Sequence, residues 1–420
     1  MRISIQTLGT LGDVMPFLAV GRALQQRGHE VSLLAPRDHA ATIAAHGVPA
    51  ACPPGFSVED WMAESRRRGT LDGPFRFFRD WPVMIRPHVD DVLHRSLEAA
   101  RNADLVLANP IAMPARIAAE HYRLPFLLMS LQPVLTPSRD LPCAMIARQP
   151  LGPILNRTSY LAISAALAGL AFSLGKARRR LVEPPRPGFG DLSRHLGRPL
   201  PRITALPAAL AVSRPADFDA DSHLVDYPDL QSPTDALPTE IDAFLREGPP
   251  PFHLGLGSMQ VEDGPARMAV WLERLESAGQ RGIVSGSLAG TPPGRHGQHL
   301  VCGPVPHDHL FRRCAAVIHH GGAGTLDTAA RAGCPQIILP QVLDQFWNAN
   351  RLDATGAAAS HAGAATDTGR IDVLIAHALS DGARQAARDL AARAPAPGRA
   401  SEVIADLVER SAAAWPAAAR

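Results

Sequence analysis

The stretch GPVPHDHLFRRCAAVIHHGGAGTLDTAARAGCPQIILPQVLDQFWNANRLDATG, residues 303–356, decides how this chain can fold. The apolar run Ala315–Ile318 predicts a buried strand, and a polar, glycine-rich turn follows at 319–324. A helix is predicted from Thr325 to a Gly-Cys-Pro stop, after which Gln336–Leu339 predicts a second strand. A strand, a helix and a second strand in this order indicate an α/β domain with a parallel, doubly wound sheet.

The turn at 319–324 has the features of an anion site. Free N–H groups at a helix start point outward with the positive end of the helix dipole, and glycines let a phosphate approach the backbone. His320 lies just before the glycines and can donate to a phosphate. No lysine follows them, so this is not a Walker loop, and on the turn alone a merely tight βα connection explains the residues equally well. Asp344 and Gln345 follow the next strand, where ligands of open α/β sheets bind, and they favour the ligand site.

The segments VPHDHLFRRCAAVIHHGGAGT, AGCPQIILP and DQFWNA occur in this order and resemble the nucleotide-sugar signature of the family 1 glycosyltransferases. The resemblance is to the bacterial branch that decorates sterols, macrolides, glycopeptides and lipids. It implies an α/β chain of two Rossmann-like, doubly wound domains that face each other across a cleft, the GT-B fold. The nucleotide-sugar would be a co-substrate, so no separate cofactor is expected.

The resemblance also assigns roles to individual residues. The diphosphate would be held by Ser258, His320, Gly322, Ala323, Gly324 and Thr325. The donor sugar would be held by Asp344 and Gln345. The base and ribose would be contacted at Val305, Pro306, His307 and Thr328. Many family members carry a glutamate at the position of Thr328 that chelates the ribose hydroxyls, and plant members place a tryptophan where Pro304 stands, so both UDP and dTDP remain open as nucleotides.

The βα unit at residues 1–36 supplies the candidate catalytic base. Strand Ile3–Thr7 leads into a glycine turn, and a helix is predicted from about Met15-Pro16. The sequence GDVMP resembles that of the glycopeptide and sterol branch, which places Asp13 at the base position. A carboxylate at a helix N-terminus should stay ionised, as a weak but positioned base. Aspartate is also a favoured helix cap, and the two roles can coexist, although the resemblance favours catalysis.

Composition limits the class of protein. The 420 residues predict two domains, and 46% hydrophobic with 20% charged residues is ordinary for globular proteins. The 42 basic and 40 acidic residues leave a net charge of +2, so no overall field attracts nucleic acid. Five scattered cysteines without CxxC spacing indicate reduced thiols of a cytoplasmic protein. No DxD motif occurs in a suitable context, so no metal is expected.

No signal peptide is recognised at the N-terminus, and no segment is long enough for a transmembrane helix. The longest apolar stretch, Leu161–Leu174, precedes the basic run Lys176–Arg180. For 161–180 a buried or pocket-lining helix with a basic last turn is the favoured interpretation, and a membrane-surface helix is the other. The chain is divided into an acceptor-binding domain at 1–220, a Pro- and Asp-rich linker at 221–240, a nucleotide-sugar domain at 241–395 and closing helices at 396–420 that pack back toward the first domain.

Taken together, these features predict a cytoplasmic, inverting, metal-independent glycosyltransferase. It would move a hexose from a UDP- or dTDP-sugar to a hydroxyl of a largely apolar small molecule such as a natural product, sterol or lipid. One alternative is a nucleotide-sugar epimerase or hydrolase of the same fold; another is a non-catalytic partner of a tailoring enzyme. The presence of Asp13, His320 and the Asp344-Gln345 pair favours transfer.

Overall fold

The structure of the protein is a computed structural model that describes most of the chain, with gaps. The chain divides into two compact units. The described residues are 1–51, 55–69, 80, 83, 86–181, 192–230, 236–255, 264–286, 291–362 and 367–416. The first unit comprises Met1–Leu206, Ser213–Leu230 and Ala396–Arg420; the second comprises Pro207–Val212 and Gln231–Pro395. Each unit is an α/β structure built around its own sheet, so the predicted two-domain α/β fold is confirmed.

The first unit has a parallel sheet with strand order β2-β1-β3-β4-β7-β8. Its strands are Arg2–Gln6 (β1), Glu30–Leu34 (β2), Leu105–Ala108 (β3), Phe126–Ser130 (β4), Arg202–Leu206 (β7) and Ser222–Asp226 (β8), with a small antiparallel pair Arg194–His195 (β5) and Arg198–Pro199 (β6). Its helices are Leu11–Gln26 (α1), Ala40–Ala45 (α2), Val58–Arg68 (α3), Val89–Ala100 (α4), Met113–His121 (α5), Pro153–Leu181 (α6) and Arg399–Ala413, which is numbered last as α14. Strands β3 and β4 are buried throughout because helices cover both faces of a parallel sheet.

The second unit has a sheet with strand order β11-β12-β10-β9-β13-β14-β15, parallel except at β11. Its strands are Phe252–Gly255 (β9), Gly282–Ser285 (β10), Gly294–His296 (β11), His299–Cys302 (β12), Ala316–His319 (β13), Gln336–Ile338 (β14) and Ala358–Ser360 (β15). Its helices are Thr239–Arg246 (α7), Gly264–Ser277 (α8), His307–Leu310 (α9), Ala323–Arg331 (α10), Gln345–Asp353 (α11), Thr368–Leu379 (α12) and Asp381–Arg393 (α13). Strands β9 and β13 pair in parallel at the centre, so their carboxyl ends lie side by side at one edge of the sheet.

Two boundaries differ from the sequence-based expectation. Helix α1 begins at Leu11 rather than at Met15-Pro16, because Thr10 and Asp13 form a capping box that starts the helix before the proline. Residues 222–226, which were expected to lie in the linker, form β8 at the edge of the first sheet. The proline and aspartate residues on both sides of this short strand are typical of loops, so the sequence pattern does not indicate a strand here.

The part of the chain that the structure describes contains no helix that is both long and apolar enough to cross a bilayer. Helix α14 belongs to the first unit and packs on α1. Their contact centres on Arg27, whose Nε donates to Glu402 at 3.0 Å and whose Nη1 donates to Asp406 at 2.8 Å and to Glu409 at 3.0 Å. The hydrogen bond to Glu402, followed by the other carboxylates, raises the pKa of Arg27, which is therefore charged at every accessible pH.

We expect Arg27→Ala to lower the free energy of unfolding by about 1–2 kcal/mol, since it removes several charge-assisted hydrogen bonds to carboxylates that water partly screens. Arg27→Lys keeps the charge but loses the planar guanidinium group. Its free energy of unfolding should therefore lie between those of Arg27→Ala and the wild type. Chemical denaturation measures the loss, and limited proteolysis should release the segment 396–420 faster. Denaturation curves that superimpose for all three proteins would contradict this role for Arg27.

Candidate active site

The candidate site of the second unit begins where β13 ends, at the buried His319. Its Nδ1 accepts the N–H of Gly321 at 3.1 Å, so the ring proton is on Nε2, which donates to Oε1 of Gln336 at 2.9 Å. Gln336 in turn donates through Nε2 to the carbonyl of Leu326 at 3.3 Å. His319 thus ties the glycine turn to β14 and α10 with both of its ring nitrogens.

Two glycines in this turn cannot be replaced without moving their neighbours. Gly321 has φ +91°, and a Cβ there would lie 2.9 Å from Cγ2 of Ile338 and 3.3 Å from the carbonyl oxygen of Gln345. A Cβ on Gly322 would lie 2.6 Å from Nε2 of His320. The imidazole of His320 therefore lies directly against the turn backbone.

Helix α10 starts at Ala323, with Gly322 as its N-cap, two residues before the expected start at Thr325. No side chain caps this end, and the hydrogen bond from the Leu326 N–H to the Gly322 carbonyl, at 3.0 Å, is the first of the helix. The amides of Ala323, Gly324 and Thr325 consequently have no acceptor within the helix. Three N–H groups without an acceptor and the positive end of the helix dipole are the features that favour an anion at a helix start.

His320 stands beside these amides. It is half-buried, and its buried Nδ1 has no hydrogen-bond partner among the described residues. Burial lowers its pKa to about 4, with a further contribution from His307. His320 is therefore neutral at pH 7 and can donate from one nitrogen; a bound anion would favour the protonated ring.

His307 is packed among other rings. It stacks on Phe311 with ring centroids 4.6 Å apart, and His253 meets it edge-on at 5.2 Å. His253 is fully buried and its Nε2 lies 2.7 Å from Oγ of Ser285. Burial lowers the pKa of His307 to about 4 and that of His253 well below its ordinary value. Together with His319 and His320, these imidazoles form a group of rings that are neutral at pH 7.

The loop after β14 brings the predicted sugar-binding residues to the same turn. Leu343 adopts the left-handed conformation, with φ +54°, immediately before Asp344. The side-chain oxygen of Gln345 accepts the backbone N–H groups of Gln341 at 2.9 Å and Val342 at 3.2 Å. This oxygen therefore holds the loop that carries Asp344.

Asn348 is the residue that sequence reasoning missed. Its Nδ2 donates to the Gly321 carbonyl at 3.0 Å and to Oδ2 of Asp344 at 3.3 Å, and the residue is buried. It therefore fixes the candidate sugar-binding carboxylate against the candidate diphosphate-binding turn. Its position four residues after Asp344, one helical turn away, was the signal available in the sequence.

The remaining predicted residues of this unit divide into three groups. Val305 and Pro306 are half-buried before α9, with Pro306 as its N-cap. Thr328 donates its hydroxyl to the Gly324 carbonyl at 2.9 Å, so its proton is used within α10. Ser258 lies outside the described residues.

In the first unit, Asp13 occupies the third position of α1. Its Oδ2 accepts the N–H of Thr10 at 2.9 Å and the Thr10 hydroxyl at 3.2 Å, which is the capping role foreseen as an alternative. Burial raises the pKa of this carboxyl, against the hydrogen bonds from Thr10 and the field of His39. A raised pKa makes the ionised carboxylate more basic than an aspartate with its ordinary pKa.

Gly9 lies against this carboxylate. A Cβ on Gly9 would come within 2.1 Å of Oδ2 and 2.5 Å of Cβ of Asp13. The imidazole of His39, which is buried, lies with Nε2 3.3 Å from the Gly9 carbonyl and supports the turn from the other side. The turn therefore holds the Asp13 side chain between Thr10, its hydrogen-bond partner, and Gly9, which has no side chain.

Comparisons with known proteins match both ends of the chain to family models. Residues 3–136 match the glycosyltransferase family 28 N-terminal domain, and residues 298–410 match the C-terminal domain of erythromycin biosynthesis protein CIII-like proteins. Glycosyltransferase GtfE of Amycolatopsis orientalis is 31% identical over 420 residues, covering 97% of each chain. O-mycaminosyltylonolide 6-deoxyallosyltransferase of Streptomyces fradiae is 30% identical over 86% of this chain and 85% of its own.

Solved structures show the same fold. Spinosyn forosaminyltransferase SpnP aligns with a TM-score of 0.68 at 17% identity, over 98% of this chain and 99% of its own. Glycosyltransferase VinC in complex with dTDP aligns with a TM-score of 0.65 at 19% identity, over 98% and 100%. These alignments confirm the expected fold of two Rossmann-like domains.

The buried histidines predict how the stability of the protein depends on pH. Their pKa values are lowered in the folded state, so between pH 6.5 and about 4 the unfolded chain binds more protons and the free energy of unfolding falls with falling pH. Each such group contributes up to about 1.4 kcal/mol per pH unit in this window. His319, with a pKa lowered to about 3 by burial and His320, should be the strongest contributor that can be isolated.

Denaturation of wild type and His319→Gln at pH 7, 6 and 5 measures this contribution. Glutamine does not titrate, so the variant should lose less stability than the wild type on acidification, while the exposed control His121→Gln should follow the wild type. Burial raises the pKa of Asp353, which acts with the opposite sign but is common to all three proteins. Parallel pH profiles for wild type and His319→Gln would contradict the assignment.

Proposed function

The chain belongs to the family 1 glycosyltransferases of the GT-B fold, and from this premise we propose that it is an inverting, metal-independent hexosyltransferase. The donor is a UDP- or dTDP-hexose, and the acceptor is a hydroxyl on a largely apolar small molecule. The observation that carries the proposal is the uncapped N-terminus of α10 beside His320, with Asp344 held at the same turn by Asn348.

The α10 terminus and His320 would stabilise the departing nucleotide diphosphate. Charge accumulates on this leaving group as the bond from the anomeric carbon breaks, and fixed donors aimed at developing charge lower the barrier. The amides of Ala323–Thr325, the helix dipole and the imidazole supply such donors without a metal ion. The buried, unpartnered Nδ1 of His320 supports this use of the turn.

Asp344 and Gln345 would orient the hexose. The Asp344 carboxylate can accept hydrogen bonds from sugar hydroxyls, and a glutamine amide can act as donor or acceptor toward sugar oxygens and hydroxyls. Orientation matters because displacement requires the attacking oxygen and the leaving oxygen on opposite faces of the anomeric carbon.

Asp13 is the proposed general base. It would accept the proton of the acceptor hydroxyl as that oxygen bonds to the anomeric carbon and the diphosphate leaves, which inverts the anomeric configuration in one displacement. Burial raises its pKa toward that of an effective base, and the capping bonds from Thr10 fix its position. Capping and catalysis are thus compatible roles for one carboxylate.

The nature of the substrates is inferred from relatives. The similar proteins include a vancomycin aglycone glucosyltransferase, an O-mycaminosyltylonolide 6-deoxyallosyltransferase and sterol 3-beta-glucosyltransferases, whose names give a natural product or a sterol as acceptor. A fold neighbour binds dTDP. These names favour transfer over the epimerase or hydrolase alternative and over a non-catalytic partner. The free thiols of Cys143, Cys302, Cys314 and Cys334 fit a cytoplasmic enzyme.

Asp13→Asn should lower turnover by about 10²–10⁴-fold, as expected for loss of a general base, while donor affinity and fold are kept. Asparagine can still accept from the Thr10 backbone, so the cap survives. The matched control is Thr10→Ala, which weakens the cap and spares the carboxylate. Turnover assays on both variants decide the role: if Thr10→Ala loses as much activity as Asp13→Asn, the carboxylate acts as a cap alone.

His320→Ala should weaken binding of the nucleoside diphosphate about 10- to 100-fold, because a hydrogen bond to a charged group contributes about 1.5–3 kcal/mol. His319→Ala should lower thermal stability, since it removes the acceptor of the Gly321 N–H, and should lose much less affinity. Isothermal titration calorimetry gives both affinities. The reverse order of affinities would mean that His319 is the diphosphate ligand.

UDP and dTDP should bind within about tenfold of each other, a difference below about 1.4 kcal/mol. Thr328 has one short hydroxyl whose proton is used within α10, so it cannot chelate two ribose hydroxyls. Thr328→Glu should shift the preference toward UDP, and Thr328→Gln, which has similar length but only one acceptor oxygen, should shift it less. Competition binding measures the ratio; a thousandfold preference of the wild type for UDP would show that another residue reads the 2′-hydroxyl.

A further inference from the structure

Exposed apolar side chains are concentrated at the start of α6 and in the loop before it. Of the eleven large hydrophobic side chains exposed in the described part of the chain, five fall between residues 146 and 161. The exposed fraction is 78% for Ile154, 66% for Leu161 and 58% for Leu155, and the other two are Ile146 and Leu151. Single exposed apolar residues are ordinary, whereas a concentration of this kind marks an interaction surface.

The packing of the opposite face of α6 determines that these residues point to solvent. Ser159 accepts the N–H of Cys143 at 2.9 Å, and the buried Tyr160 donates its hydroxyl to the Leu141 carbonyl at 3.1 Å. These bonds hold the loop from Leu141 against the inner face of the helix. The outer face of 154–165 therefore remains exposed in the folded chain.

The outer face reverses the usual pattern of a surface helix. Its exposed residues are Ile154, Leu155, Arg157, Thr158, Leu161, Ala162, Ser164 and Ala165. Five of these eight are apolar and none is acidic, whereas an amphipathic helix of a globular protein turns its polar face to water. The face at residues 146–165, hereafter the α6 face, thus has an apolar surface that the described residues do not cover.

The charged residues of the segment that forms the α6 face indicate what kind of surface covers this face. From Leu141 to Val182 the sequence contains six basic residues and no aspartate or glutamate, although the whole chain has 42 basic and 40 acidic residues. Arg148 and Arg157 are exposed beside the apolar residues. The other four basic residues lie in the sequence 176–180, within α6. Apolar and basic residues without acidic ones are typical of segments that lie on anionic lipid.

We propose that the α6 face docks on the surface of an anionic lipid bilayer, with its apolar side chains at the headgroup boundary and its basic residues near lipid phosphates. A second copy of the chain fits less well, because a symmetric contact would bring the exposed Arg148 and Arg157 of both copies together. A small apolar ligand fits less well too, since ligand pockets bury most of the ligand surface and Ile154 is 78% exposed. The proposal does not depend on the donor or base assignments.

Co-sedimentation of the full chain with lipid vesicles tests it. The protein should bind vesicles that contain phosphatidylglycerol and phosphatidylcholine at least about tenfold more tightly than vesicles of phosphatidylcholine alone, and added salt should weaken the binding. The double variant Ile154→Glu, Leu161→Glu should lose about tenfold or more in affinity. The matched control is Val373→Glu, a change at an apolar residue of the second unit that is 58% exposed, and it should bind like the wild type.

A second variant tests the charge independently: Arg148→Gln with Arg157→Gln should weaken binding severalfold while leaving the apolar residues in place. Three results would overturn the proposal: no binding to phosphatidylglycerol vesicles, equal binding to both vesicle types, or unchanged binding by the folded glutamate variant. Analytical ultracentrifugation that shows a dimer which the glutamate variant dissociates would assign the face to a second copy and overturn it as well.

Discussion

The site of the second unit depends on the backbone of Gly321. Its N–H is accepted by His319, its carbonyl accepts from Asn348, and its Cα lies so close to Ile338 and Gln345 that a side chain cannot be added. With φ +91°, the residue also adopts a conformation that favours glycine. Strand β13, strand β14 and helix α11 therefore meet at Gly321, and these contacts fix the backbone of the turn that leads into α10.

The backbone of this turn determines which groups of the candidate site are available to a ligand. Because the N-cap residue Gly322 has no side chain, α10 begins without a side-chain cap and its first amides remain available. Asn348 uses the same glycine carbonyl to position Asp344, so the sugar-binding candidate and the anion-binding amides are held by a shared hydrogen bond. The buried position of His319, Gln336 and Asn348 strengthens these hydrogen bonds, because buried hydrogen bonds are electrostatically stronger than exposed ones.

The sequence was sufficient to predict elements whose signals are local. The run from Ala315 to Leu339 predicted a strand, turn, helix and strand, and the structure contains them with boundaries shifted by one or two residues. Properties set by tertiary packing were not predictable. The pKa of Asp13 is raised by burial that the GDVMP motif does not reveal, and β8 is a strand because it pairs with β7, not because its own residues favour one. Asn348 was missed for the same reason, since its partner Gly321 is distant in sequence.

Hydrogen exchange followed by mass spectrometry, with and without UDP or dTDP, tests the central claim directly. If the α10 terminus binds the diphosphate, peptides that contain residues 320–328 should become protected on nucleotide binding, since their outward amides gain an acceptor. Peptides covering the loop at 341–348, which carries no proposed phosphate contact, should respond less to the nucleotide alone. Nucleotide binding that leaves 320–328 unchanged would contradict the account, whatever other peptides it protects.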